Sequence, residues 1–515
     1  MNHGLKTLLL ALALALCASS PSRAQEEIDY DEIPRQWYQK PGRNNVVHAK
    51  DLPDHLGDDN RLWHRKLHGK RFFNIITIDG DRVYCGMQAL NLPDRIKDPR
   101  ANALLCLDLN TGETIWQKQL GEGGGWGLTG VPLIDGDFIY QQSTTDAFCV
   151  NKHTGEVIWH TNIEQRYKKG LHGTHSTGVL VGDYWYLATG HASGTDDPDN
   201  WISNALEHPF HPNIVVLEKE TGKLVARDDI PINAGQHGSW CALSTAEVDG
   251  RQLVFWGDNH GYVHAWEAPE KFECDGVATL ERVWHCDANP HHYRYMEDGK
   301  LQPYNIYKSN FGPCEIIAVP VYHDGLLYVA LGRDVHYSPK QGKRRVGDGG
   351  IVCIDPRGEG DITETNKVWT NTDVGRTFSA PSVLDDVIIM TDHSGYVTGL
   401  DRETGETLWQ GDIEAPIWNY WHVVGDGKVF IMNELRNFKI FEADRDGGLL
   451  FAAEMDGQNN PAPGLVHGRI IIGTSRSIDC YAGPGYLEMH KPDKVVESEQ
   501  IRADDAVNEP VEGGH

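Results

Sequence analysis

Short apolar runs rich in Val, Ile, Leu and Tyr recur along most of the chain, separated by small polar turn pairs. Examples are "GVPLIDGDFIYQQS", "GVLVGDYWYLATG", "AVPVYHDGLLYVALG", "APSVLDDVIIMTD" and "APGLVHGRIIIGTS". Alternating or β-branched runs joined by Asp-Gly or Gly-Asp turns predict β-hairpins. Each hairpin is followed by a second pattern. "LDLNTGETIWQKQL" (Leu107 to Leu120) returns as "VNKHTGEVIWHTNI" (Val150 to Ile163), "LEKETGKLVARDDI" (Leu217 to Ile230) and "LDRETGETLWQGDI" (Leu400 to Ile413). Four residues after the Gly of each Thr-Gly pair stand Trp116, Trp159, Ala226 and Trp409, and Trp116 to Trp159 is 43 residues.

Each unit therefore reads strand, turn, strand, turn, strand, Thr-Gly turn, strand. Four-stranded units of this size in series predict an all-β fold, a β-propeller. Units begin near Phe73, Gly127, Thr174, Ser239, Glu315, Phe378, Trp418 and Pro461, which makes eight blades. The longer interval from Trp284 to Trp369 returns to the common period once Ala288–Pro313 and Arg333–Gly349 are set aside as inserted loops. The last unit, ending near Tyr481, lacks a fourth strand, and the orphan "NRLWHRKL" with Trp63 supplies one. The N-terminal strand is thus expected to close the ring and leave no open edge. In the outer strand the repeated Trp covers the apolar face between blades, and the Thr-Gly turn provides a position suited to positive φ.

The ends read differently. Residues 1–24 carry Lys6, an apolar run from Leu8 to Leu16 and Ser22-Arg23-Ala24, the pattern of a cleaved secretory signal. The run is too short to span a membrane, so an extracytoplasmic location, periplasmic or secreted, is expected with no transmembrane segment. The division is then a 25–59 extension, a 60–486 propeller and a 487–515 acidic tail, with residues 25–45 and the tail expected to be mobile.

Composition sharpens this picture. The chain has 515 residues and a formal charge of −27, which disfavours a nucleic-acid partner. Its 55 Gly suit many tight turns, whereas 25 His and 15 Trp exceed what the repeat uses. Nine cysteines remain after removal of the signal; Cys274 with Cys286, or Cys241 with Cys314, are candidate disulfides, and the rest sit in apolar strand contexts.

The Leu-Asp-x-x-Thr-Gly-x-x-x-Trp repeat resembles that of quinoprotein-type propellers, named after pyrroloquinoline quinone, from about Asn60 to Gly485. The stretches "FGPCEIIAVPVYHDGLLYVALGRD" and "GIVCIDPRGEGDIT" resemble more narrowly an exported group common in planctomycete-type bacteria. The resemblance implies either a quinone-dependent dehydrogenase or a scaffold such as the outer-membrane assembly lipoprotein. The dehydrogenases share a vicinal Cys-Cys disulfide over the quinone, and this chain has no adjacent cysteines and no CxxCH haem site. "WGDNHGYVHAW" resembles their catalytic Asp-Asn segment, but its register makes Asp258 and Asn259 turn residues between the second and third strands.

Repeat register also places the segments entering the inner strands around one mouth of the central channel. They bring Trp126, His172, His175, His237, Trp240, Glu315, Arg376, Trp418, Tyr420, Trp421, His422, Asn459 and Asn460 to one funnel. The Trp faces suit a planar or sugar-like ligand and Arg376 suits a carboxylate. His172, His175, His237 and His422 are candidate ligands for a transition metal. Two readings follow: a monomeric binding or scaffold protein for a protein, glycan or small-molecule ligand, and an oxidoreductase using pyrroloquinoline quinone or a His-bound metal.

Overall fold

A computed structural model of the chain describes residues 28–66, 69–71, 76–90, 102–120, 128, 130–143, 146–163, 177–189, 212–230, 240–273, 276–302, 312–333, 348–414, 422–433, 435–457, 462–490 and 496–498. The hairpins and Thr-Gly units assemble as eight antiparallel four-stranded blades in a ring. Blade 2 shows the plan: Leu133–Asp135 lines the channel, followed outward by Phe138–Gln142, Asp146–Asn151 and Val157–Asn162. The inner strands of blades 3 to 8 are Val179–Val181, Ser244–Val248, Val321–His323, Ser382–Val383, Val423–Gly425 and Gly464–Val466. In blade 1 the inner position is shared by Gly69–Arg71 and Thr77–Asp79 along the long strand Arg82–Leu90. Blade 8 is completed by Arg61–Lys66, with Trp63 opposite Cys480, so the N-terminal strand closes the ring. Val496–Ser498, from the expected tail, adds a parallel fifth strand there, preceded by a short helix, Pro484–Met489.

Blades are joined by one repeated contact. At five of the eight junctions an outer-strand Trp lies against a glycine turn of the next blade, Thr-Gly in four and Asp446-Gly447 in the fifth, and donates its indole N–H to a carbonyl there. The pairs are Trp63 to Leu109 O (2.9 Å), Trp116 to Lys152 O (3.0 Å), Trp159 to Lys219 O (2.8 Å), Trp369 to Arg402 O (3.2 Å) and Trp409 to Asp444 O (2.9 Å). A Cβ on Gly155 would lie 2.7 Å from the Trp116 ring, so the turn needs glycine for room as well as for its φ of 73°. Trp284 of blade 4, whose neighbour lacks a Thr-Gly turn, is fully buried and packs on Phe255 instead.

Antiparallel alternation gives the ring two unlike ends. We call the upper mouth the end that carries the turns between second and third strands and the connections between blades. The lower mouth carries the other turns. Residues 36–52, expected as part of a polar extension and mobile up to residue 45, instead pack inside the channel. Trp37, Tyr38, Val47 and Leu52 are buried. Gln36 bonds Leu465 O of blade 8 (2.7 Å), Tyr38 Oη bonds Ile76 O beside blade 1 (2.7 Å), and Pro41 O accepts from Thr245 N of blade 4 (2.9 Å). Gly42 O accepts from Tyr322 N of blade 5 (2.9 Å), and Asn44 brackets Val383 of blade 6 at 2.7 and 2.9 Å. Val47 N donates to Val424 O of blade 7 (2.7 Å). The segment looks polar because its Asn, Gln and Arg side chains satisfy channel-lining backbone groups that the blades leave open.

Cys241 and Cys314, a candidate disulfide, are free and buried, as is Cys286 from the other pair, while Cys274 lies outside the described residues. The Cys241 thiol is turned instead to the carbonyl of Ala318 (3.4 Å) and accepts from Gly257 N (3.3 Å). Burial pushes the thiols of Cys106, Cys286, Cys353 and Cys480 up to about 12, the behaviour of inert packing groups. Among the described residues no helix is long and apolar enough to cross a membrane.

The Trp–Gly contact separates two costs by comparison of two glycines. Gly136 has φ 57° with nothing near its virtual Cβ, whereas Gly155 meets the Trp116 ring. Gly136→Ala is expected to cost about 1–2 kcal/mol from backbone strain alone, and Gly155→Ala about 1–3 kcal/mol more from overpacking. Urea midpoints of the two variants check this; equal losses would remove the ring contact as a stabilising feature.

Candidate functional site

Of the residues assigned to the funnel, Trp240, Glu315, Arg376 and His422 fall within the described residues. Trp126, His172, His175, His237, Trp418, Tyr420, Trp421, Asn459 and Asn460 lie outside them. Signal residues 1–24 and the segment 499–515 also lie outside. Three of the four form one cluster at the upper mouth of blades 4 to 6, and the fourth is elsewhere.

The cluster is built on close backbone approach. Glu315, before the inner strand of blade 5, bridges Gly332 through paired 3.0 Å backbone hydrogen bonds. A Cβ on Gly332 would lie 2.3 Å from Arg376 Cα, so glycine there lets the entry to blade 6 lie directly against blade 5. This places Arg376 Nη2 2.9 Å from Glu315 Oε1, with the two side chains 2% and 0% exposed. Arg376 also donates to His393 Nδ1 (3.4 Å), so the ring accepts on that nitrogen, and its guanidinium lies 4.6 Å from the Phe378 ring centre. Phe378 in turn stacks on Trp240 at 6.0 Å and 27°, with Ile317 completing the patch.

Phe378 and His393 were not legible as site residues from the entering segments alone. His393 stands in the turn between second and third strands, which antiparallel alternation puts at the same mouth. Beside it, Asp392 accepts from Gly375 N (3.0 Å) and Tyr396 N (3.2 Å), and burial holds its carboxyl above the usual range despite these bonds. Asp258 is the equivalent residue in blade 4 and has the expected turn role. It accepts from His260 N and Tyr262 N at 2.8 Å each and bonds His264 Nε2 at 3.1 Å. Burial pushes the Asp258 carboxyl up, but the His264 hydrogen bond and adjacent histidines outweigh this and hold it below the usual carboxylate range.

His422 sits in the wall between blades 6 and 7, 1% exposed. Its Nε2 meets Ser382 Oγ at 2.9 Å and its Nδ1 meets Thr391 Oγ1 at 3.1 Å. Ser382 Oγ donates to Asn45 O (2.8 Å), and Asn45 Nδ2 donates to His422 O. Both ring nitrogens therefore serve a junction between two blades and the channel segment. Burial lowers the His422 pKa to about 3, a neutral ring at ordinary pH. Among the described residues no three His, Cys, Asp or Glu side chains gather to hold a metal ion.

The family model described as outer membrane protein assembly factor BamB matches residues 44–230 and 332–411, more than half of the chain. The chain belongs to that family. Comparison with curated proteins gave no match. Among solved structures, BamB from Moraxella catarrhalis is 14% identical with a TM-score of 0.53, covering 82% of this chain and 99% of that one. At that identity the likeness is one of fold. The computationally designed Ika8 protein is 12% identical, with a TM-score of 0.49 and 82% and 99% coverage. A quinohemoprotein alcohol dehydrogenase from Comamonas testosteroni is 11% identical, with a TM-score of 0.46 and 95% and 85% coverage.

Two measurements check this reading of the buried polar groups. Arg376→Met strands Glu315 and is expected to cost about 3–5 kcal/mol in a urea titration, with Arg376→Met/Glu315→Leu recovering most of it; a double variant no better than the single would remove the ion pair as the cause. His422 has a folded pKa below its unfolded value, so its stabilising contribution is present above the unfolded pKa near 6.5 and is lost as pH falls from there toward 3. Between pH 6 and 4 wild type should lose about 1.4 kcal/mol per pH unit more than His422→Gln. Parallel stability profiles would contradict the buried neutral ring.

Proposed function

We propose that this member of the BamB-described family is an exported, non-catalytic binding scaffold that docks a polypeptide at its upper mouth. The observation that carries the reading is a stapled, apolar-tipped insertion after blade 4. There, helix α1 (His291–Arg294) is held by Arg294, whose Nε donates to Asp287 Oδ2 and whose Nη2 donates to His260 O, each at 2.8 Å. Tyr295 then bridges Leu301, and this small hairpin exposes Tyr295, Met296 and Leu301, the last at 60%. Leu435, in the turn between the second and third strands of blade 7, is 61% exposed at the same mouth. Large apolar side chains held out by rigid polar staples suit a protein contact. The family description, an outer membrane protein assembly factor, supports the same class of partner.

The quinone reading fits the described residues poorly. The carboxylate that Arg376 meets is Glu315, Trp240 is stacked on Phe378, and Asp258 is engaged by its own turn and His264. With no adjacent cysteines in the sequence, these residues do not make a cradle for pyrroloquinoline quinone. The signal-like residues 1–24 support delivery outside the cytoplasm, and the planctomycete-type resemblance supports membership of that exported group.

A photo-crosslinking amino acid placed at Leu301 or Leu435 in native cells is expected to capture defined polypeptides. The same probe at Phe138, 37% exposed at the lower mouth, is expected to capture none of them. Equal capture from Phe138, or a quinone absorbance near one equivalent in protein purified from its native compartment, would overturn the proposal.

A further inference from the structure

At the lower mouth, the channel segment and blades 2 and 3 enclose a cleft of about 310 Å³, lined among others by Arg35, Tyr38, Lys40, Arg43, Asp135 and Lys219. Its charge runs against the rest of the molecule. In a chain of net charge −27, four cations meet here with one carboxylate, and that carboxylate is engaged by Lys219 at 2.6 Å. Arg43 is 2% exposed and has a left-handed φ of 60°, unusual for a residue with a long side chain. Its Nε donates to Leu243 O at 3.0 Å and its Nη2 to Gly178 O, which explains how it anchors the channel segment. Those bonds leave Nη1, which is buried and has no hydrogen-bond partner among the described residues. Arg35 lies near enough to depress both Arg43 and the half-buried Lys40, so three like charges share this end while its one carboxylate is already engaged, and burying unneutralised charge is costly.

We propose that this cleft binds an oxyanion, the carboxylate or phosphate group of a small ligand, through Arg43, Lys40 and Arg35. An anion there would complete the Arg43 fork and neutralise the pair of half-buried and buried cations. Burial, with Arg35 alongside, holds the Lys40 ammonium down at about 8 and depresses Arg43 as well; a bound anion reverses both effects. The volume admits a ligand of several carbons and excludes a folded partner. The site is at the opposite end of the channel from the docking surface proposed above and does not depend on it.

The test uses the whole mature protein with citrate as the carboxylate probe and inorganic phosphate as the phosphate probe, each against sodium chloride at matched ionic strength. Either probe or both is expected to raise the melting midpoint saturably by about 2 °C at a concentration about tenfold above Kd. Which probe acts identifies the group. Lys40→Gln with Arg35→Gln, the first also removing the Lys40 Nζ bond to Val46 O (2.5 Å), should weaken binding at least about tenfold, and Arg35→Gln alone, at an exposed side chain, should weaken it in the same direction. In wild type, dimethyl-lysine NMR should show the Lys40 pKa rising by about one unit on saturation, which by linkage corresponds to about tenfold in affinity. A midpoint unmoved beyond the chloride control by both probes, a double variant that binds as wild type, or a Lys40 resonance that titrates identically with and without probe would overturn the proposal.

Discussion

The stacking of an outer-strand Trp on a glycine turn of the next blade, made at five of the eight junctions, is the contact on which the ring depends. It works because it joins three physical requirements at one point. The indole needs an apolar face, its N–H needs an acceptor, and the turn needs a residue without Cβ. Trp116 meets all three on blade 2: its ring covers Gly155 and its nitrogen reaches Lys152 O at 3.0 Å. A blade alone would leave the Trp face in water, so the repeat is stable only as a series. Closure follows from the same rule, since Trp63 at the N-terminus finds its glycine, Gly112, in blade 1. The two ends of the chain are thus held by the contact that joins blades 1 to 2, 2 to 3, 5 to 6 and 6 to 7.

This explains why the architecture was legible and the channel was not. The Trp–Gly spacing is periodic, so it shows in self-comparison, and it predicted eight blades and the closing strand. Residues 36–52 have no periodicity because each touches a different blade. Gln36, Tyr38, Pro41, Gly42, Asn44 and Val47 each satisfy one local need, a carbonyl here or an amide there. Such a sequence looks like a solvated tail until the inner strands are in place around it. The same holds for Val496–Ser498, whose partner strand is more than 400 residues away in the chain.

The upper-mouth cluster was legible by halves. Register predicted that Trp240, Glu315 and Arg376 approach one another, because it fixes which loops enter the inner strands. It carried no information on which polar group would meet which, and Arg376 meets a carboxylate of its own chain. A buried intramolecular partner loses no translational freedom on pairing, which an external carboxylate must lose. His422 shows the opposite case: equivalent in register to the other candidate histidines, it is drawn into the wall because Ser382 and Thr391 present hydroxyls to both ring nitrogens. Register sets position along a blade, while the neighbouring blade's side chains decide between wall and lumen.

Filling the channel with residues 36–52 adds a chemical difference to the two mouths that antiparallel alternation already makes unlike. At the upper mouth the Arg376–Glu315 pair is buried against Phe378, and Tyr295, Met296, Leu301 and Leu435 are exposed. At the lower mouth the entering segment brings Arg35, Lys40 and Arg43 to a place where the blades contribute few acids. Positive charge there is tolerable because the chain is strongly acidic overall, so a basic cleft lies in a favourable long-range field even where no carboxylate touches it. That field stabilises the cations without neutralising them locally, and it is the local deficit at Arg43 that a ligand of opposite charge would correct.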